Sequence, residues 1–409
     1  MTTNKTLFLI TPNPPLEPGE EFLRSEFPIL AEAFDEIIVI HHNDNYDKKY
    51  RNVEALVHFP YLPSKKDKLN SLRRMFEWAF WSELYDMIFL YKLAPTPRRI
   101  SSILGGIEVG RKFARYIASS EAIKKGNKIY VYSYWCNYIA VGLAFLKRLN
   151  PSCICITRAH GYDVYFERNE LNYLPLRRLI FKNLDRIYFI SRMGLNYAAN
   201  KTKRYRSMRT SYLGSAPIPQ NPKNRDSVCH IISCSNIIRL KRLDLIIDAL
   251  AIVSTATKIK WTHFGDGPLA KTIQEYAQQK LSGKQNIQYE FKGYVVNKDL
   301  TEFYANNSID LFINVSESEG LPFSIIEAFS AGIPAVATDV GGTSEIVESN
   351  SNGMLLNPKP TAEEIKASIQ YFAELDSKAK EAYSINAYQK WSDFFQANKN
   401  FREFVADFL

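Results

Sequence analysis

The sequence predicts an α/β protein built from two doubly wound parallel sheets. Three observations predict it. Short apolar runs alternate with helix-period stretches, the rhythm of a parallel sheet covered on both faces. That alternation occurs twice, on either side of Gly214-Ser-Ala-Pro-Ile-Pro-Gln-Asn-Pro-Lys-Asn-Arg-Asp226, a segment rich in Pro and polar residues. The 409 residues, 46% hydrophobic and 23% charged, exceed one ordinary core while keeping a globular composition.

In the first half, Leu7–Ile10 reads as a short buried strand and 11–19 as a Pro-rich loop. A helix over 20–33 and a strand over 36–40 complete a β-loop-α-β opening. The pattern returns as a strand over 129–134, a helix over 138–149, and strands over 153–157 and 186–190. Past the linker, strands are expected at 229–234, 259–264, 287–291, 309–315 and 335–338, with helices over 243–254 and 269–281. The aromatic-rich stretch 388–409 reads as a helix without a sheet of its own, so it must pack on an existing domain. The expected organisation is a first Rossmann-like domain over 1–213, a linker over 214–226, a second Rossmann-like domain over 227–385 and a returning helix over 386–409. Two such halves imply a cleft beyond the carboxyl ends of the strands, where a ligand binds.

One segment resists this scheme. Residues 69–91 are apolar and aromatic, with Arg73, Arg74, Glu77, Glu83 and Asp86 scattered among them. They read either as a core helix pair or as an amphipathic element seated on a bilayer surface.

Net charge is +9, with basic clusters concentrated before residue 215, so anionic partners are expected: nucleotide diphosphates or phospholipid headgroups. No helix-turn-helix, RNA-recognition or zinc-finger signature accompanies the charge, and nucleic acid is not expected as a partner. The five cysteines include no Cys-x-x-Cys and several lie in apolar runs, which suits a reduced, cytosolic protein. The apolar start at Leu7–Ile10 is too short for a signal peptide. The charge-free run between Lys128 and Lys147 divides into a strand and a helix rather than a span.

Chemistry concentrates in Ser316-Glu-Ser-Glu-Gly-Leu-Pro-Phe-Ser-Ile-Ile-Glu-Ala-Phe-Ser-Ala-Gly332. Pro322 suits the first turn of a helix and Gly332 its end. Glu319 then lies on a loop and Glu327 in the early helix, both near an N-terminus that favours an anion. Carboxylates repel phosphate, so their expected task is to accept hydrogen bonds from sugar hydroxyls beside it. Phosphate flanked by sugars describes a nucleotide sugar. Lys241 follows the 229–240 strand and loop, within reach of a diphosphate, and Arg242 is a second cation there. Gly265 and Gly267 end a strand and allow close backbone approach. Gly341, Gly342 and Glu345 sit at another strand end. In the first half, Thr157-Arg-Ala-His-Gly-Tyr-Asp163 places His160 just past a strand, with Asp163 near enough to orient it.

On these residues the chain resembles the family 4 retaining glycosyltransferases of the GT-B fold over essentially its whole length. Glu319 to Glu327 is similar to that family's Glu-x7-Glu motif, His160-Gly-Tyr-Asp163 to its His-Gly-x-Asp segment, and Gly265-Asp-Gly-Pro268 and Gly341-Gly-Thr-Ser-Glu345 also match. Pro18-Gly-Glu-Glu-Phe22 and Tyr132-Ser-Tyr-Trp135 resemble members that build bacterial exopolysaccharide, capsule or lipopolysaccharide. The resemblance implies that Glu327 binds the ribose, Glu319 the donor hexose, Lys241 the diphosphate, and His160 the transferred sugar. It implies a phosphate cradle from the backbone N–H groups of Leu321, Phe323 and Ser324, and room for the donor at Gly19. The family pairs its lysine with an arginine five residues earlier; that position is Asn236, and Arg239 on the same loop is the candidate replacement. The resulting set is His160, Glu319 and Lys241 as catalytic residues. Gly19, Asp163, Asn236, Arg239, Gly265, Gly267, Leu321, Phe323, Ser324 and Glu327 are the donor-binding residues.

A lysine and a helix N-terminus can stabilise a departing diphosphate without a metal. No Asp-x-Asp occurs, and neither metal nor cofactor is expected. The implied partners are a nucleotide-sugar donor and a saccharide acceptor. The basic and aromatic segments of the first half fit an acceptor carried on a polyprenyl diphosphate at the inner membrane face, with peripheral membrane contact, and fit equally a basic, wholly soluble domain. The competing readings are a hydrolase using the two glutamates as acid and base, a phosphorylase, a nucleotide-sugar epimerase, and a non-catalytic binding protein on the same fold.

Overall fold

The computed structural model describes residues 4–12, 23–41, 55–58, 70–204, 206–222 and 228–409. The chain divides into two units, Met1–Tyr212 with Phe401–Leu409, and Leu213–Asn400.

Among the described residues the first unit holds seven strands: β1 (Lys5–Ile10), β2 (Glu36–His41), β3 (Ala55–His58), β4 (Lys128–Ser133), β5 (Ile154–Ala159), β6 (Arg186–Phe189) and β7 (Met208–Thr210). They lie in the order β3-β2-β1-β4-β5-β6-β7, and every pairing is parallel. Strand order therefore reverses between β1 and β4, the position where ligands collect in such sheets. Helices cover both faces, so β1 and β4 are buried almost throughout, as their unbroken apolar runs require. The 22-residue helix Pro97–Ala118, absent from the sequence reading, starts at an N-cap Thr96 followed by Pro97. It packs on the helix Tyr138–Leu149 so closely that a Cβ at Gly110 would lie 3.0 Å from the Gly142 nitrogen. The glycines that permit this approach dilute the apolar periodicity that would otherwise have announced the helix.

The second unit repeats the design with β8 (Val228–Cys234), β9 (Lys258–Phe264), β10 (Ile287–Phe291), β11 (Leu311–Asn314), β12 (Ala335–Thr338) and β13 (Gly353–Leu356). Its order is β10-β9-β8-β11-β12-β13, again wholly parallel, with the reversal between β8 and β11. The loops leaving β8 and β11 carry Lys241 and Glu319 respectively. Among the described residues no helix is long and apolar enough to cross a membrane, and all five cysteines are free thiols.

Three sequence expectations are corrected. The described part of the expected linker is built into the second unit. Ser215 donates its backbone N–H to Phe395 (3.0 Å), and its hydroxyl accepts from the Trp391 indole (2.8 Å). Asn221 is buried, donating to the Tyr304 and Asn307 carbonyls and accepting from the Ile309 N–H. A polar segment was read as a spacer because its hydrogen-bond partners lie far away in sequence. The terminal stretch is two helices, Ser377–Phe394 and Ala397–Phe408. The second ends on the first unit, where Phe404 meets Tyr132 and Tyr188 at ring distances of 5.3 and 4.7 Å. Residues 70–91 are neither one helix nor a simple pair. They form a 3-10 turn (Leu72–Phe76), a short helix (Trp78–Tyr85) and a wide π-type turn (Asp86–Leu90).

Candidate active site

In the second unit the loop after β11 is fixed before any ligand is considered. Asn314 accepts the Ser316 N–H (3.0 Å), Leu240 accepts the Glu317 N–H (2.8 Å), and Thr338 donates to the Ser316 carbonyl (2.6 Å). Arg242 has a left-handed backbone (φ 48°). Its guanidinium donates to the carbonyls of Val315 (2.6 Å), Ser316 (2.9 Å) and Pro358 (3.0 Å). Those bonds make Arg242 a clamp on the loop, not the free cation expected from sequence. Gly341, at φ 54°, presses on the other side: a Cβ there would stand 1.8 Å from the Glu319 carbonyl oxygen. The adjacent Gly342 N–H donates to the Gly320 carbonyl (2.8 Å).

Glu319, held in this loop, is nearly buried. Its Oε1 accepts from Lys241 Nζ at 2.6 Å and from Asn314 Nδ2 at 3.3 Å. Lys241 ends a 3-10 turn, Arg239–Lys241, on the loop after β8. The helix Phe323–Ser330 follows, with Pro322 as its N-cap rather than inside its first turn. The first-turn N–H groups of such a helix have no acceptor four residues back, so this end attracts an anion. Glu327, on the same helix, is buried, and its Oε1 accepts from Asn297 Nδ2 at 2.5 Å. Burial pushes the neighbouring Cys234 thiol up to about 12, with the Glu327 charge adding to the effect. The structure therefore brings Lys241, Glu319 and the start of the 323–330 helix together, and Glu327 rides on that helix. Asn314 and Asn297, which orient the two carboxylates, were missed in sequence, where nothing links them to the glutamates.

Other expected donor residues are placed differently. Gly265 (φ 136°) and Gly267 serve the protein's own backbone. A Cβ at Gly265 would meet the Ser235 carbonyl oxygen at 1.9 Å, and one at Gly267 the Ile237 carbonyl at 2.6 Å. The Gly-Asp-Gly turn thus locks the loop after β8 in place. Asn236 is exposed. Among the described residues Arg239 makes no bond to the Lys241–Glu319 pair. It lines a cavity of about 800 Å³ with Leu245, Tyr276, Glu317 and Lys359. Gly19 lies outside the described residues. Among the described residues no group of three or more His, Cys, Asp and Glu side chains is arranged to hold a metal ion.

In the first unit, His160 stands one residue past β5. Its ring lies 4.2 Å from that of Trp135 and 5.0 Å from that of Tyr134, centroid to centroid. Asp163 accepts the backbone N–H groups of His160 (2.5 Å) and Cys136 (2.7 Å), tying the loop after β4 to the loop after β5. The imidazole Nδ1 stands 3.9 Å from the Asp163 carboxylate, too far for a hydrogen bond. Burial lowers the pKa of His160 and outweighs the pull of Asp163, so the ring is neutral at pH 7. Burial would raise Asp163, but His160, Arg177 and the Cys136 N–H together hold it below the usual carboxylate range. Asp163 is thus a buried organiser of backbone. Beside it opens a cavity of about 630 Å³ lined by Trp135, Tyr138, Tyr162, Tyr173 and Arg177, among others. Aromatic walls with a few polar tips suit a sugar face.

Residues 218–390, which carry the Lys241–Glu319 pair and Glu327, match the profile of the family glycosyl transferases group 1. The second unit belongs to that family. Similar curated proteins include a GDP-mannose-dependent alpha-mannosyltransferase of Corynebacterium glutamicum, 29% identical over 135 residues, covering 33% of this chain and 30% of that protein. The O-antigen biosynthesis glycosyltransferase WbnH of Escherichia coli is 31% identical over 144 residues, covering 35% of this chain and 38% of its own length. These alignments span about a third of the relatives' lengths. Among solved structures, HepE of Anabaena, in complex with UDP and glucose, has a TM-score of 0.67 at 18% identity, covering 99% of this chain and 98% of that one. The apo form of the lipopolysaccharide outer core galactosyltransferase WaaB has a TM-score of 0.70 at 14% identity, covering 99% and 100%. The fold of the whole chain is GT-B.

Proposed function

We propose that this chain is a retaining hexosyltransferase. It moves a hexose from a nucleotide-diphosphate sugar to a saccharide acceptor, carried on a polyprenyl diphosphate, in cell-surface polysaccharide biosynthesis. The observation that carries this reading is the Lys241–Glu319 pair at the start of the Phe323–Ser330 helix, inside the stretch that matches the glycosyltransferase family. A cation beside a helix N-terminus suits a diphosphate, and carboxylates beside it suit sugar hydroxyls. The names of the relatives, which speak of mannosyl transfer and O-antigen synthesis, support the substrate class.

In the proposed reaction the bond from the anomeric carbon to the diphosphate oxygen breaks as the acceptor oxygen bonds to the same face of the sugar. The acceptor proton passes to the departing phosphate oxygen, so no side chain serves as base. Lys241, swung from Glu319 to the diphosphate, and the N–H groups of Leu321, Phe323 and Ser324 stabilise the leaving group without a metal. Glu319, released from the ammonium, accepts hexose hydroxyls, and Glu327 holds the ribose. His160, neutral and backed by Trp135, positions the transferred sugar. The aromatic cavity beside Asp163 takes the acceptor saccharide.

Incubation of the purified chain with a panel of nucleotide sugars and saccharide acceptors, read by mass spectrometry and anomeric NMR, tests the reading. An acceptor-dependent α-linked product from an α-linked donor is expected. Inverted products would refute retention, and sugar interconversion without acceptor would indicate an epimerase. Binding without turnover of any donor would indicate a non-catalytic protein.

A further inference from the structure

Residues 70–91 bury Ala79, Phe80, Met87 and Tyr91 in the core, yet they also bury charges and leave large aromatics in water. Among them Arg74, Glu83 and Asp86 are buried, while Phe76 is 91% exposed, Trp81 58%, Tyr85 61% and Phe89 65%. Each of the buried charged side chains has a partner. Arg74 pairs with Glu108 (2.6 Å) and Glu77 (2.5 Å), Arg178 with Asp86, and Tyr173 donates to Glu83 (2.5 Å). The segment thus places polar contacts inward beside its core residues and leaves a large aromatic surface in water, which a soluble surface does not require. The outward side chains are in register. Trp78, Trp81, Tyr85, Ile88 and Phe89 follow helical spacing along the short helix and the π-type turn, and Tyr85 and Phe89 touch at 4.8 Å between centroids.

Cations continue this stripe. Arg148 lies 4.0 Å over the Trp78 ring. Lys182 and Arg204 line a small cavity with Trp78, Ser82 and Asp86. The same two residues line a neighbouring cavity of about 810 Å³, with Arg186, Lys203, Arg206 and Arg209 as further cations and Asp185 as its carboxylate. An aromatic stripe running into a cationic basin on one unit is the pattern of a bilayer interface, where Trp and Tyr sit at headgroup depth and Lys and Arg meet anionic lipid.

We propose that the 72–89 face of the first unit seats on an anionic lipid bilayer, with the Lys182–Arg209 basin taking lipid phosphate headgroups. The inference goes beyond glycosyl transfer and stands on different residues, so either can fail without the other.

The test is co-sedimentation of the whole chain, without donor or acceptor, with vesicles of phosphatidylcholine alone or containing about 30% phosphatidylglycerol. Binding at least tenfold tighter to the anionic vesicles is expected, with a blue shift of tryptophan emission. The combined variant Phe76→Ser/Trp81→Ser/Phe89→Ser is expected to lose binding more than tenfold. Lys182→Gln/Lys203→Gln/Arg206→Gln/Arg209→Gln is expected to abolish the preference for anionic lipid. All these positions are exposed, and unchanged circular dichroism confirms that the fold is kept. Equal binding to both vesicles, no binding, or binding that survives the aromatic variant overturns the proposal. So does a dimer in sedimentation velocity that the aromatic variant converts to monomer, which would assign the face to a second copy.

Discussion

Lys241→Met removes one partner of the ion pair at the centre of the candidate site. The Nζ–Oε1 separation is 2.6 Å, and the two side chains are 20% and 12% exposed. An exposed pair contributes about 0–1 kcal/mol, whereas breaking a fully buried one costs about 3–5 kcal/mol. A partly screened pair lies between, so about 2 kcal/mol is expected for leaving Glu319 with Asn314 as its remaining weak donor. For a unit of this size that lowers the Tm by about 4–8 °C. Glu319→Gln removes the charge that made the orphan costly, so the double variant Lys241→Met/Glu319→Gln should regain much of the loss. A thermodynamic cycle on these variants, followed by scanning calorimetry, should give a coupling of about 1–2 kcal/mol. Additivity within about 0.5 kcal/mol would refute the claim that the pair is a unit of the folded site.

Arg242→Met should be costlier to the loop, since three carbonyl acceptors are abandoned at once; a Tm loss with weaker nucleotide binding is expected, and unchanged values of both would contradict the clamp. Gly341→Ala should reduce transfer at least tenfold, because the loop carrying Glu319 must move to admit a Cβ; a steady-state assay checks it. Burial pushes the His263 imidazole down to about 4, so the folded chain resists a proton that the unfolded chain accepts near 6.5. Above 6.5 this group is neutral in both states, and as pH falls from 6.5 to 4 it costs about 3 kcal/mol of stability. Denaturant titrations should show that loss, and His263→Phe should flatten it. His160 is also held neutral by burial, so the acid limb of kcat/KM should fall below 6.5 and vanish in His160→Asn.

Much of this was legible in the sequence, for physical reasons that also mark its limit. Strands buried on both faces read as apolar-rich runs, so β8 and β12 were found nearly to the residue. The Glu319-to-Glu327 spacing was visible because one loop and one helix carry both groups. Partners contributed from elsewhere were not visible. Asn297 reaches Glu327 from a different helix, and Arg242 reads as a free cation until three carbonyls are found around it. Gly265 looked like room for a ligand, and the space it leaves is filled by the Ser235 backbone. The 70–91 segment defeated periodicity because it mixes the two faces: Arg74, Glu83 and Asp86 lie inward beside Phe80 and Met87, while Phe76, Trp81 and Phe89 lie outward.

Calorimetric titration of nucleoside diphosphates into the wild-type chain, Lys241→Met and Glu327→Gln tests the central assignment most directly. The wild type should bind one equivalent. Lys241→Met should weaken binding of the diphosphate far more than that of the bare nucleoside, and Glu327→Gln should weaken both. Wild-type affinity retained in both variants, or no nucleotide binding by the wild type, would contradict the placement of the donor at this loop and helix.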